Sequence, residues 1–349
     1  MKTLAYRLQF TTPFHLDERG TGFYQHSQRF IRSDTLVAAI LSAYKMLDKN
    51  IDQTCFEEPP FILSSTFPYL KLDNKIHYFL PRPECSRKVE LKSIYLPFNK
   101  DIKNIAWLEL DIWERVTNNQ WKWNEYCQHR LEVEKLKKED KQHKEIYQAI
   151  KDEFLLRTTG GLSEHFSITY KEQNLRISTD RLTNQASSGL FDFSRIYYRE
   201  NAGLYFLIKI KEEDIDSFEA ALSLLGDMGI GADRSSGHGL FDWEKDKQIQ
   251  IPKPQNRAIT LSLVSPSCDD MTDNWLDGAA YDLIKRGGWI SGTDYRKKTV
   301  RMFTEGSSFQ EPLTGCVQNV TPYEDVAKKL GYQIYRDGRG FFVGGEQNG

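Results

Sequence analysis

The residues best suited to chemistry sit in Gly229-Ile230-Gly231-Ala232-Asp233-Arg234-Ser235-Ser236-Gly237-His238-Gly239. Glycine permits positive φ and close backbone approach. Consecutive N–H groups in such a loop can form an anion-binding concavity, and a neighbouring arginine suits phosphate. The same composition also describes a plain turn between helix and strand. Gly229-x-Gly231 invites comparison with a dinucleotide fingerprint, but Arg234 stands where the third glycine belongs. The loop also runs from helix to strand, the reverse of a dinucleotide-binding entry. No P-loop, nucleophile elbow or His-Glu-x-x-His motif occurs in the chain.

Two further groups could contact nucleic acid. His15, Arg32 and Ser33 follow the first apparent strand, and His15 could act as a general acid or base in metal-independent RNA cleavage. Such cleavage would need a second proton-transfer group, and the sequence places none. Arg296-Lys297-Lys298-x-x-Arg301 lies beside Tyr295 and Phe303, a mixture that suits single-stranded RNA through phosphate pairing and base stacking. A solvated basic strand edge explains it equally well. Isolated acids such as Asp180 and the Asp269-Asp270 pair give no metal site, and no cofactor is expected. The five scattered cysteines form no Cys-x-x-Cys pair, which argues against structural zinc.

The elements that must position these residues read as α+β. Leu4, Tyr6, Leu8 and Phe10 alternate with Ala5, Arg7 and Gln9, a half-buried strand. Ser33 reads as an N-cap ahead of a helix carrying Leu36, Ala39, Ile40, Ala43 and Leu47 on one face. Strands are expected at Phe61–Phe67, Ile76–Leu80, Ile105–Val116, Ile168–Ile177 and Leu204–Ile210. A helix from Ile215 to Leu225 precedes the glycine-rich loop, and a strand begins near Leu240. Glu125 to Phe154 reads as a charged, solvent-exposed helical insertion with a thin apolar stripe. Without the insertion the order is β-α-β-β-α-β, the ferredoxin-like, RNA-recognition-motif-like topology.

Ile251-Pro252-Lys253-Pro254-Gln255-Asn256 reads as a linker. The expected architecture is therefore two ferredoxin-like domains. The first spans 1–250 with an insertion at about 85–200 and the glycine-rich loop; a smaller one spans 257–349. In it, Trp275–Arg286 is expected to be partly helical, with a helix at Tyr323–Leu330. With 349 residues and a formal net charge of −2, no global basic field announces a polyanion, although 47 Lys and Arg can cluster locally. No run approaches membrane-spanning length, and a cytoplasmic location is expected.

The order of several stretches resembles the RAMP superfamily of CRISPR proteins, and within it the Csm subunit four family of the type III-A effector complex. The stretches are Thr12-Pro13-Phe14-His15-Leu16, Ile31-Arg32-Ser33-Asp34-Thr35-Leu36, Leu63–Leu70, Tyr78–Pro83, Asp180-Arg181-Leu182-Thr183, Ala202–Phe206, the glycine-rich Gly226–Phe241, Val300–Ser307 and Gly331–Arg336.

The resemblance implies a non-catalytic subunit that grips the 5′ handle of the CRISPR RNA. It would bridge the large polymerase-like Cas subunit to the repeated backbone subunit and meet target RNA through the guide duplex. By the same resemblance Gly229, Gly231, Arg234, Ser235, Ser236, Gly237 and Gly239 cradle handle phosphates, with His15, Arg32 and Ser33 nearby. The loop from Arg181 to Phe191 corresponds to a projecting thumb. Two alternatives stay open: a metal-independent endoribonuclease using His15, and a pure assembly adaptor.

Overall fold

The computed structural model describes residues 1–17, 24–48, 50–72, 74–136, 144–150, 153–159, 161–162, 166–177, 183, 189–255 and 257–345. Arg181 and most of the expected thumb loop lie outside the described residues.

Strand β1 (Lys2–Phe10) is followed by helix α1 (Ser33–Leu47) and the short helix α2 (Thr54–Glu57). Strands β2 (Phe61–Leu63), β3 (Phe67–Leu72) and β4 (Lys75–Pro81) come next. After a long insertion, β10 (Ala202–Ile210), α6 (Ile215–Met228) and β11 (Phe241–Asp246) complete the first unit. The strands pair antiparallel in the spatial order β11-β1-β10-β3, with β2 also on β10. With α1 and α6 packed together, this is the ferredoxin-like arrangement expected from the sequence.

Its core follows from the apolar periodicity. α1 buries Leu36, Val37, Ile40 and Leu41, and α6 buries Phe218, Ala221, Leu222 and Leu225. The Tyr6 ring on β1 meets Phe206, Phe218 and Trp243 at centroid distances of 5.5–5.6 Å, joining β10, α6 and β11. Each such side chain contributes on the order of 1.5–3 kcal/mol by leaving water.

The insertion differs from the sequence reading in two places. Residues 105–117 form the short strand β5 (Trp107–Glu109) and then a helix (Leu110–Thr117), not one long strand. Ile112, Trp113 and Val116 are buried at helical spacing, and the Trp113 indole donates to the Pro81 carbonyl at 2.9 Å. The charged stretch is not an exposed helical arm. It contains a helix (Trp123–Glu134), strand β6 (Glu145–Ile150) and the start of β7 (Phe154–Thr159).

Of its thin stripe, Ile146, Ile150 and Phe154 are buried while Leu131 and Leu136 are half-buried; Ile150 and Phe154 join the main core together with Tyr126 and Cys127. β7 pairs in parallel with β5 and antiparallel with β6, so the insertion extends the same sheet through β4-β5-β7-β6. The last insertion elements, β8 (Thr169–Arg176) and β9 (Phe191–Tyr198), form a separate antiparallel ribbon.

The expected linker is packed rather than loose. Pro252 and Pro254 are buried, and the Gln255 N–H donates to Asn118 Oδ1 at 3.1 Å. Beyond it, β12 (Ala258–Thr260) lies between β15 (Ser308–Phe309) and β18 (Phe342–Val343). Two hairpins accompany it, β13 (Leu283–Arg286) with β14 (Val300–Phe303) and β16 (Gly315–Asn319) with β17 (Tyr335–Arg339).

A full second β-α-β-β-α-β order is not present among the described residues, where this part carries one helix, Glu324–Leu330. The expected helix at Trp275–Arg286 is instead a series of turns leading into β13. Asn274 and Gly278 take φ of 63° and 65°, incompatible with helix. Ile259, Leu261, Phe341 and Val343 belong to the main core, while Val264, Phe303 and Phe309 centre a smaller cluster.

Candidate nucleic-acid interface

The glycine-rich loop begins where α6 ends at Gly229, with φ 77°. Its base is zipped shut by backbone hydrogen bonds. Ile230 N–H donates to the Gly239 carbonyl at 2.9 Å, Gly239 N–H to the Pro13 carbonyl at 2.8 Å, and Ala232 N–H to the His15 carbonyl at 2.9 Å. At Gly231 and Gly239 a Cβ would fall 2.4 Å from the His15 carbonyl oxygen and 2.0 Å from that of Ile230. On their Cβ side these glycines serve close approach within the protein. Gly229 is buried against His238 in the same way.

The tip is different. Asp233 adopts the left-handed region, Arg234–Ser236 make one 3-10 turn, and Gly237 follows with φ 76° and open space on its Cβ side. Arg234, Ser235, Ser236 and Gly237 are all exposed. Within this turn the Ser236 and Gly237 N–H groups donate to the Asp233 and Arg234 carbonyls at 3.0 and 2.9 Å, and the N–H groups of Arg234 and Ser235 at its start are those oriented for an anion. Met228, Gly231, Ala232, Asp233, Arg234 and Ser235 line a shallow concavity there.

Charge at the tip is divided in a specific way. The Asp233 carboxylate accepts from Arg176 Nη1 at 2.6 Å and from the Ser236 hydroxyl at 3.2 Å. His238 Nδ1 lies 3.6 Å away. Burial pushes the Asp233 carboxyl up, but Arg176 outweighs it and holds the group below its ordinary value. Asp233 is thereby matched inside the fold, and Arg234 has no ion pair among the described residues.

Arg176 ends β8 and ties the loop to the β8–β9 ribbon. Its guanidinium sits 4.4 Å from the Phe193 ring centroid, with Arg195 on the same ring at 5.7 Å. Tyr24, from the loop after β1, is 41% exposed and meets Phe191 and Phe193, each at 5.5 Å. Three segments therefore converge: the β1–α1 loop, the loop end of the ribbon, and the glycine-rich loop. Together they combine an exposed cation, oriented N–H groups and an accessible aromatic ring. That set can hold a phosphate and stack a base.

His15 is the joint of this assembly. It is 1% exposed, its Nδ1–H donates to the Ser194 carbonyl at 2.8 Å, and its ring packs 4.9 Å from Phe193. Burial lowers its pKa from the ordinary imidazole value. Nε2 is buried without a partner among the described residues, so neither ring nitrogen faces solvent. A general acid or base must reach the proton it moves, and His15 does not in this geometry.

Arg32 and Ser33 lie elsewhere, on the seam between α1 and the C-terminal part. Arg32 is paired with Glu305, which also accepts from the Ser65 hydroxyl, and it sits 5.1 Å from the Phe30 ring. The N-cap of α1 is Arg32, with no side-chain cap, not Ser33. Ser33 instead accepts from the Leu263 N–H at 2.9 Å and donates its own N–H to Ser65 Oγ at 2.8 Å. Both side chains are engaged in holding the two parts together.

Arg296 is exposed and stacks 4.4 Å from Trp289, and Lys297 is half-buried beside α1. Sequence reasoning missed Tyr24, Arg176, Phe193 and Arg195 as site residues. The signal was the pairing of two polar strands, Arg176 opposite Phe191, which periodicity alone does not specify. No group of residues arranged to hold a metal occurs among the described residues, and no described helix is long and apolar enough to cross a membrane.

Residues 253–344 match the CRISPR Csm4 C-terminal domain. A protein of Methanocaldococcus jannaschii named CRISPR system Cms protein Csm4 is 24% identical over 97% of this chain and 96% of its own length. One of the same name from Thermococcus onnurineus is 30% identical over 49% of this chain and 53% of its own. A chain in the crystal structure of a Csm3–Csm4 subcomplex shares the fold, with a TM-score of 0.62 at 19% identity over 98% of this chain and 99% of that one. A chain of a Csm1–Csm4 cassette gives 0.56 at 17% identity over the whole of both. Residues 60–242, more than half of the chain, match the RAMP superfamily, and the chain belongs to that superfamily, resembling the Csm4 family within it.

Proposed function

We propose that the chain is a non-catalytic RNA-binding subunit of a type III-A CRISPR effector complex, gripping the 5′ handle of the CRISPR RNA. The observation that carries this is the convergence of Arg234 and the exposed tip Ser235–Gly237 with Tyr24 beside the loop end of the ribbon. The tip supplies phosphate contacts, and Tyr24 with Phe191 supplies a stacking platform. Arg181 and the rest of its loop would continue this surface as the thumb. Arg296 would add an outlying phosphate contact from the C-terminal unit, 257–349.

The relatives named Csm4, and fold matches drawn from Csm3–Csm4 and Csm1–Csm4 assemblies, support a place between the backbone and large subunits. Target RNA would meet the chain through the guide duplex. Arg234→Ala is expected to weaken binding of a labelled 5′-handle RNA about three- to tenfold in fluorescence anisotropy. The slope of log affinity against log salt should fall by about 0.7, one single-strand phosphate contact. An unchanged affinity and slope would remove the loop from the RNA site.

The endoribonuclease reading is less well supported, because both nitrogens of His15 are enclosed. Site-specific cleavage of repeat RNA in chelator, abolished by His15→Ala, would restore it. A pure adaptor would assemble with its neighbours and give no RNA crosslinks on this chain.

A further inference from the structure

A cavity of about 720 Å³ lies between α1, α2 and the C-terminal part, lined by none of the glycine-rich loop and not by Tyr24. One wall carries Val37, Leu41, Phe56, Ile334 and Tyr335, and Asp34 and Lys297 stand together on its surface. Asp34, whose side chain is 0% exposed, accepts from Arg286 Nε at 2.9 Å and Nη2 at 3.0 Å, and also from Arg336 Nη1. Both guanidinium groups are more than nine-tenths buried, and Arg336 Nε has no partner among the described residues.

Lys297 approaches the same cluster. Burial and then Arg336 lower its pKa, and its ammonium has no hydrogen bond or ion pair among the described residues. The nearby acids do not correct the balance. Asp337 is chelated by Arg339 at 2.7 and 3.0 Å, and Asp52 on the exposed α2 loop has Lys45 as its neighbouring cation.

Among the described residues three cations thus surround one carboxylate, an excess of two positive charges at one end of a cavity whose lining otherwise mixes apolar and aromatic side chains with Ser42, Lys45, Gln53, Ser291 and Gln333. Buried charge of this kind is costly without a counter-charge. A carboxylate ligand would supply one negative charge; a phosphomonoester supplies roughly two near neutral pH. The volume lies in the range of small-ligand sites, and the apolar wall suits a flat body.

We propose that this cavity binds a small phosphomonoester with a planar or apolar body, its phosphate paired with Lys297 beside the Asp34 cluster. The body lies against Val37, Leu41, Phe56, Ile334 and Tyr335.

Isothermal titration calorimetry on the full chain tests this with phenyl phosphate and adenosine 5′-monophosphate, alongside inorganic phosphate and adenosine. Both phosphomonoesters are expected to bind one to one, at least about tenfold more tightly than inorganic phosphate or the nucleoside. Lys297→Met should weaken both about tenfold or more, by removing a charge-assisted contact. Ala38→Trp, at an exposed α1 position lining the cavity, should block them without touching the charge cluster. Arg234→Ala should leave them unchanged, so that failure here and failure of the RNA reading are told apart. Absence of heat from either phosphomonoester at millimolar concentration, equal binding of inorganic phosphate, or affinities unmoved by both Lys297→Met and Ala38→Trp would overturn the proposal.

Discussion

Replacing Asp34 by alanine takes away the one carboxylate between Arg286 and Arg336, whose side chains are 8% and 9% exposed. Removing one partner of a buried ion pair leaves uncompensated charge and costs about 3–5 kcal/mol. Unfolding entropy of ~2.1 cal/mol/K per residue gives ~0.73 kcal/mol/K for this chain, so the melting temperature should fall by about 4–7 °C. Differential scanning calorimetry at pH 7 reads this directly. The pH dependence carries a second check. Burial raises the Asp34 carboxyl, but Arg286 and Arg336 outweigh it, and the folded pKa lies well below the ordinary 3.8.

A depressed carboxyl contributes its full stability above the unfolded pKa and loses it as pH falls through the folded one. The gap between wild type and Asp34→Ala should therefore be constant from pH 7 to about 5 and shrink below about 4. A melting temperature within about 1 °C of wild type at pH 7 would refute the reasoning, because the guanidiniums would then have found water or another acceptor.

The glycine-rich loop gives a paired expectation. Gly231→Ala drives a Cβ to within 2.4 Å of the His15 carbonyl oxygen at φ 98°, and should destabilise the loop by more than about 2 kcal/mol. Gly237→Ala meets open space at φ 76° and should cost only about 1–2 kcal/mol, read by urea unfolding. Equal effects would contradict the split between packed base and open tip. Tyr24→Ala should weaken single-stranded RNA binding by about 1–3 kcal/mol if a base stacks there, measured by anisotropy at constant salt. A change below about twofold would move the stacking site off Tyr24.

Where local pattern decided the outcome, the sequence was readable. The alternation of Leu4 to Phe10 and the helical spacing of Leu36, Ile40, Phe218 and Leu222 led directly to the first ferredoxin-like unit. The region from Ile105 to Phe154 misled for two physical reasons. Ile105, Trp107 and Leu108 are buried strand-like residues running straight into the helical set Ile112, Trp113 and Val116, so one apolar run covered two elements. Charge on Glu125 to Glu153 read as solvent exposure, although Ile146 and Ile150 supply the buried positions of β6.

At the candidate site, composition marked the whole stretch Gly229–Gly239 without separating the packed base from the exposed tip Arg234–Gly237. The structural duties of His15, Arg32 and Ser33 were not, because each is set by partners far along the chain: Ser194, Glu305 and Leu263. The same holds for Asp34, whose guanidinium partners are 252 and 302 positions away.

The central position of β1 has a consequence for synthesis on the ribosome. Lys2 pairs with Ile210 and Phe10 with Phe241, so β1 is flanked on both edges by strands made much later. At about 5–20 residues per second, β1 emerges some 10–40 s before either neighbour exists. During that interval a nascent chain carries Leu4, Tyr6, Leu8 and Phe10 with both hydrogen-bonding edges unfilled. Translation speed through the insertion sets how long that edge waits, so slow codons there would lower soluble yield without altering the finished protein.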